Sequence, residues 1–243
     1  MTLVLALLIA FPGPRIANLP TGMLPESHVW QFEISHRFLP AACASGWKSD
    51  VLQLFLTPVV REGLDKSLGE KVTVGCALDV ISHEAALHAA YAPLACLTIY
   101  PEISTGIRSL TLDATWLNVG ICAHRAFGDR VAVMAQPRYT TNTKQHFLSL
   151  GLGGKVQVLP SWSLGLEVEP VLAGRDSTTD LAPWAFTIEK EYGGHNFIFT
   201  LGSALYQSAP AMFRSERTGS GYDPVLDITK GEFRIGFNIL RRI

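Results

Sequence analysis

Residues 184–203 read WAFTIEKEYGGHNFIFTLGS, two runs of alternating character joined by Gly193-Gly194. Trp184, Phe186, Ile188 and Tyr192 fall on one parity, and Thr187, Glu189 and Glu191 on the other. After the glycines, Phe197, Phe199 and Leu201 repeat the apolar beat. Successive side chains of a strand point to opposite faces, so this pattern predicts a β-hairpin turning at Gly-Gly. Each face has a definite character, one aromatic and one carrying carboxylates. In a soluble sandwich the apolar face meets a core and the polar face meets bulk water. In a membrane barrel the apolar face meets lipid and the polar face lines a lumen.

Composition favours the barrel. Charged residues make up 17% of the chain, against about 25% in ordinary soluble domains, and the mean hydropathy is +0.22. Yet no stretch approaches the roughly 20 apolar residues of a membrane-spanning helix. A lipid-facing barrel combines these properties, because every second residue can stay polar. The formal charge of −1 gives no electrostatic footprint for nucleic acid, and no nucleic-acid partner is expected. The four cysteines show no zinc-like spacing, and three of them, inside apolar-alternating segments, read as small hydrophobes.

At the start, MTLVLALLIAFPGPRIA carries an apolar run from Leu3 to Phe11. That length suits the core of a signal peptide and is too short to span a bilayer. Neither Lys nor Arg precedes it, and Arg15 lies in the PRIA stretch where cleavage would fall. Residues 1–17 therefore read as a signal segment, a remnant of one, a poorly placed N-terminus or a buried first strand. Residues 18–243 read as a single β-barrel domain.

Outward from the hairpin, the same alternation recurs. VWQFEISHRF (29–38) sets Trp30, Phe32, Ile34 and Phe38 against Gln31, Glu33, Ser35 and Arg37. VLQLFL (51–56) reads as a strand, REGLDKSLGE (61–70) as a polar loop, and KVTVGCALDV (71–80) as a strictly alternating strand. ISHEAALHAAYAPLA (81–95) is ambiguous between helix and strand, and its flanking strands favour strand. Further strands are expected within 94–105, 110–127, 131–139, 146–158 and 162–172, and in the closing GEFRIGFNILRRI (231–243). Short turns such as FGDR (127–130) alternate with longer polar loops. The fold class expected is all-β, an antiparallel up-and-down transmembrane β-barrel of about 12 strands. An even count brings both ends to one rim and lets the last strand pair with the first. Trp30, Phe38, Trp162, Trp184, Tyr192 and Phe233, near strand ends, fit an aromatic girdle.

Three stretches together resemble a family of uncharacterised bacterial outer-membrane β-barrel proteins. They are NLPTGMLPESHVWQFEISHRF with its Pro-Thr-Gly start and His-Arg-Phe strand end, WAFTIEKEYGGHNFIFTL with Gly-Gly-His, and GEFRIGFNILRRI with Phe-Arg-x-Gly-Phe-Asn. The resemblance implies the fold and a place in the bacterial outer membrane. It implies no activity.

Candidate functional residues follow from parity. Glu167 and Glu169 share one face of their strand, as do Glu189 and Glu191. On neighbouring antiparallel strands the four would form a carboxylate patch on one wall of a lumen, attracting cations. Glu33, Arg37, Lys71 and Arg234 have lumen parity in their own strands, as does Lys155. The competing reading is mutual neutralisation of acids and bases across a packed interior. His36 reads as a rim histidine, and His195 as a residue fixing the Gly-Gly turn. Ser35-His36 and Ser82-His83 are adjacent, which places each pair on opposite strand faces, and no GxSxG elbow occurs. LGLGGK (150–155) lacks the GK[ST] and helix of a phosphate loop; its glycines relieve crowding in a curved wall. SERTGSGYDP (215–224) reads as a rim loop suited to a lid or plug. No cofactor, metal or catalytic residue is expected.

The chain thus reads as a narrow pore or binding barrel for a small polar solute or cation, with the lipid bilayer as its solvent. A closed accessory barrel docking a periplasmic or envelope protein stands second, a lipid-modifying enzyme third and a soluble lipid-binding barrel fourth.

Overall fold

The computed structural model describes residues 15–38, 58–80, 83–108, 110–128, 130–174, 181–204 and 233–243. Its strands, in chain order, are β1 (Trp30–Phe38), β2 (Pro58–Ser67), β3 (Val72–Asp79), β4 (Glu84–Leu94), β5 (Leu97–Gly106) and β6 (Thr115–Phe127). They continue with β7 (Val131–Thr141), β8 (His146–Leu159), β9 (Trp162–Val168), β10 (Val171–Ala173), β11 (Trp184–Tyr192), β12 (His195–Gly202) and β13 (Arg234–Arg242). Each strand from β1 to β8 pairs antiparallel with the next; β8 pairs with β9, β9 with β11, β11 with β12, β12 with β13, and β13 with β1. Twelve strands therefore close a ring, and the short β10 continues the line of β9 against the other end of β8. Closure removes the sheet edges that lipid could not hydrogen-bond.

Inside and outside are inverted relative to a soluble protein. Along β1, Gln31, Glu33, Ser35 and Arg37 are buried, while the alternate Trp30 is 44% exposed. Leu87, Ile103, Leu117 and Leu166 on β4, β5, β6 and β9 are 64, 49, 49 and 60% exposed. A soluble monomer rarely shows an apolar patch beyond a few hundred Å²; here apolar side chains face outward from strand after strand. That is the surface a bilayer solvates.

The two rims differ. At one, the chain turns within residues 68–71, 95–96, 128–130, 160–161 and 193–194, and β1 begins and β13 ends there. At the other, β1, β3, β5, β7, β9 and β12 end and β2, β4, β6, β8, β11 and β13 begin, and the connections include 142–145 and the turn at Leu112–Ala114. The tight rim carries cations over aromatic rings on the outer face. Lys66 Nζ lies 4.9 Å from the Trp30 ring centroid, Lys190 Nζ 4.7 Å from Trp162, and the Arg125 guanidinium 5.4 Å from Phe127. Long cationic side chains whose stems lie on apolar surface and whose heads reach water belong at a membrane interface. Towards the opposite rim, His36 stacks on Phe237 at 4.5 Å, with Phe38 6.2 Å from the same ring.

The structure corrects one reading of the sequence. Residues 61–67 of the expected polar loop are strand β2, paired on both sides with β1 and β3. Arg61 and Ser67 are buried on its inner face, where Arg61 faces Glu102 and Ser67 donates to Gly69 O, so protein partners offset the penalty of burying them. The stretch 81–95 is strand from Glu84, as its neighbours required, and a 3-10 turn (Leu112–Ala114) precedes β6. The expected strand at 51–56 and the loop 215–224 lie outside the described residues.

Candidate functional site

The lumen is occupied by the chain's own N-terminal segment. Residues 15–20 form a tight turn closed by an Arg15–Pro20 bridge and an Ile16 N to Leu19 O bond of 2.9 Å. Ile16, Ala17 and Leu19 are at most 1% exposed. This segment, called here the strap (residues 15–22), sits mid-barrel, and the wall grips it mostly by its backbone. The Glu167 carboxylate accepts from Ala17 N at 3.0 Å, Asn18 N at 2.9 Å and Leu19 N at 3.0 Å, and from the Asn18 side-chain amide at 2.7 Å. In return the strap's carbonyls accept from the wall. Arg15 O takes Lys155 Nζ at 3.0 Å, Ala17 O takes the Asn238 amide at 3.1 Å, and Gly22 O takes Thr98 Oγ1 at 2.6 Å. Those partners stand on β8, β13 and β5, with Glu167 on β9, so the strap is tied to several sides of the ring.

Two strap side chains pack as well. Ile16 and Leu19 form a small apolar cluster with Cys122 and Met134, bordered by Tyr100. Room for them comes from glycines on β8 and β9. A Cβ on Gly151 would meet Leu19 at 2.9 Å, and Cβ atoms on Gly153 and Gly165 would meet Ile16 at 2.5 and 2.9 Å. The glycines expected to relieve crowding in a curved wall are notches for the strap.

The lumen charges are met by ion pairs or by amide and carbonyl groups. Glu33 meets Arg15 Nε at 3.0 Å and Ser35 Oγ at 2.7 Å. Arg37 donates to Asn238 Oδ1 at 2.7 Å and to Asn18 Oδ1 at 3.1 Å. Glu169 takes Arg138 at 3.3 Å and Ser149 at 2.8 Å, and Glu189 pairs with Lys155 and accepts from Asn196 at 2.5 Å. Asp65 meets His88 Nε2 at 2.5 Å, and Arg61 faces Glu102 at 3.6 Å. Arg234, also buried, donates to Ser203 O at 2.8 Å.

Among the expected lumen residues, Glu33, Arg37, Glu167, Glu169, Glu189 and Arg234 are buried on the inner face. Glu191 is partly exposed near the tight rim. Lys71 is exposed in the β2–β3 turn, one residue before its strand begins, so it does not stand on the wall. The β9–β11 register sets Ala185 opposite Glu167 and Ser163 opposite Glu189. The carboxylates are therefore staggered along the wall, each with its own donors, rather than gathered into one bare acidic patch. Sequence reasoning missed Arg61 and Asp65, which lay in the supposed loop, and Gln136 and Arg138, whose parity in VAVMAQPRY was available. It also missed the strap, which has no periodicity.

Two cavities flank the strap. One, of about 90 Å³, lies against β2–β7 and is lined by Arg61, His88, Tyr100, Asn118, Gln136 and Arg138, among others. Thr73 Oγ1, buried and without a hydrogen-bond partner among the described residues, also lines it. The other, of about 240 Å³, lies towards the tight rim and includes Ile16, Met23, His124 and Met134. At the opposite rim Lys144 and Thr143 hold the exposed Asp113 carboxyl below its usual range, the Lys144 contact being 2.6 Å. That pair links the β5–β6 and β7–β8 connections.

The sequence profile of a family described as a membrane-bound β-barrel domain (DUF5777) matches residues 110–242, more than half of the chain. Among solved structures, the fold is similar to KdgM porin in complex with disordered oligogalacturonate, with a TM-score of 0.56 and 10% identity over 87% of this chain and 98% of that one. It is also similar to NanC porin, with a TM-score of 0.54 and 8% identity over the same shares of each chain. No functionally curated protein matches the sequence.

Proposed function

The chain belongs to the membrane-bound β-barrel family DUF5777, and from that premise we propose that it is a narrow, self-occluded pore of the bacterial outer membrane for small polar solutes. The observation that carries this reading is the lumen, lined by polar and charged groups on strand after strand, with a cavity on each side of the strap. A packed interior of mutually neutralised charges would leave no such space; this one keeps ion pairs and hydrogen-bonding groups beside open volume. KdgM, seen with an acidic oligosaccharide, offers a precedent of fold. Here Arg15, Arg61 and Arg138 each face a carboxylate, while Arg37 and Arg234 donate to amide and carbonyl oxygens. The lining therefore suits an uncharged or zwitterionic solute rich in hydroxyl and amine groups better than a polyanion.

The test is reconstitution into liposomes and planar bilayers. Swelling in small sugars, with small and intermittent conductance of weak ion selectivity, is expected. Absence of both from a folded, heat-modifiable barrel, in the native chain and in variants with an unseated strap, would refute the pore. The strap itself favours the second reading, a closed accessory barrel docking an envelope partner. In that case no variant conducts and a protein co-purifies.

A further inference from the structure

The strap touches the wall as a bound peptide touches its receptor. Three of its amide N–H groups converge on one carboxylate, and three of its carbonyls meet donors on β5, β8 and β13. Two of its aliphatic side chains, three positions apart, enter notches left by glycines of β8 and β9. None of these wall groups needs the strap to be continuous with β1. We propose that the wall around Glu167 is a peptide-binding site, occupied in cis by residues 15–22 as an exchangeable self-ligand. Its ligand class is a short turn-forming segment with convergent amides and two aliphatic side chains, with Asn18 adding the contacts to Glu167 and Arg37.

Convergent backbone amides around a carboxylate are the inverse of an anion nest. A nest binds a mobile anion with fixed amides; here the fixed partner is the carboxylate and the amides belong to the movable segment. Any other chain that presents the same donors can compete, and a solute lacking them cannot. The inference depends on the pore reading only for its consequence, that occupancy closes the passage.

The experiment uses the full-length protein with Leu19→Asp, which alters the strap and leaves the wall intact; Ile16→Asp serves as an independent second variant. Unseating is read by reaction of an Ala17→Cys thiol with a membrane-impermeant maleimide, the native cysteines having been replaced. Binding is read by fluorescence anisotropy of a labelled RIANLPTG peptide in detergent. The expected result is rapid labelling, saturable peptide binding that a scrambled peptide does not show, and a loss of affinity of at least about tenfold when Glu167→Ala is added. The proposal is overturned if the introduced thiol stays protected in both strap variants, since the strap is then a fixed part of the wall. It is also overturned if the strap is released and the peptide does not bind, or binds equally with Glu167→Ala. Conductance of the strap variants is recorded in parallel before peptide is added: a variant that binds the peptide yet does not conduct when peptide-free sinks the pore and leaves the receptor standing.

Discussion

Replacing Glu167 by alanine is expected to loosen the strap while leaving the barrel folded. In the closed arrangement the carboxylate serves three backbone N–H groups and the Asn18 amide, at 2.7–3.0 Å. Without it those donors are left in a lumen where Ala17 is 0% and Leu19 1% exposed. A buried donor stripped of its acceptor costs about 1–3 kcal/mol. The three amides alone, at the low end of that range, give about 3 kcal/mol, equivalent to roughly a 150-fold shift towards the open strap. Glu167→Gln keeps one carbonyl acceptor and loses the charge, so a smaller shift, about tenfold, is expected. The assay is amide hydrogen exchange, read by mass spectrometry on the segment spanning residues 15–22 in detergent or nanodiscs. Exchange that reports local opening measures this equilibrium directly. Protection should fall in the order native, Gln, Ala, with the amides of β1–β13 unchanged. Strap protection within threefold of native in the alanine variant would show that the carboxylate does not hold the segment, and the reasoning from unpaired amides would fail with it.

The remaining expectations concern the ion pairs and the lipid face. Lys155 and Glu189 are each 1% exposed, so Lys155→Met should destabilise the barrel by about 3–5 kcal/mol, with Lys155→Met/Glu189→Gln recovering most of the loss. Urea unfolding from lipid vesicles measures both, and a double variant as unstable as the single one would contradict the pairing. In an unseated-strap background, Glu189→Gln frees the Lys155 charge, so the reversal potential under a salt gradient should move towards anions; movement towards cations would contradict the charge matching. Ile121, mid-strand on β6, opposite Ile99 and 43% exposed, meets lipid. Ile121→Lys should cost about 2–4 kcal/mol in vesicles, whereas no cost would mean that this face meets water.

How much of this was legible in the sequence depended on where each residue finds its partner. The hairpin of β11 and β12 was legible because its outer face is aromatic or aliphatic at every position but Lys190 and His195, and alternation against Thr187 and Glu189 leaves one periodicity. Strand β2 was not, because its outer positions include Glu62 and Lys66 as well as Val60 and Leu64, and Lys66 reaches the tight rim over Trp30. With charge on both parities, apolar alternation fades. The surviving signal was the inner series Arg61, Gly63, Asp65 and Ser67, each small or polar, as an inner wall of paired polar groups requires.

Parity also placed Glu167 on the inner wall, yet its partners are amides about 150 residues earlier. Backbone donors have no residue type, so no motif announces them. What the wall does write into the sequence is the space for the strap. Gly151 and Gly153 on β8 and Gly165 on β9 stand at inner positions, with Glu167 next on the same face of β9, opposite Gly153. Inner glycines beside an inner carboxylate on paired strands describe a groove with an acceptor at its side. Such a groove is filled by a backbone, whether the chain's own or another's, because side-chain-only ligands leave the acceptor without its converging donors. The same spacing therefore marks the site whichever peptide occupies it.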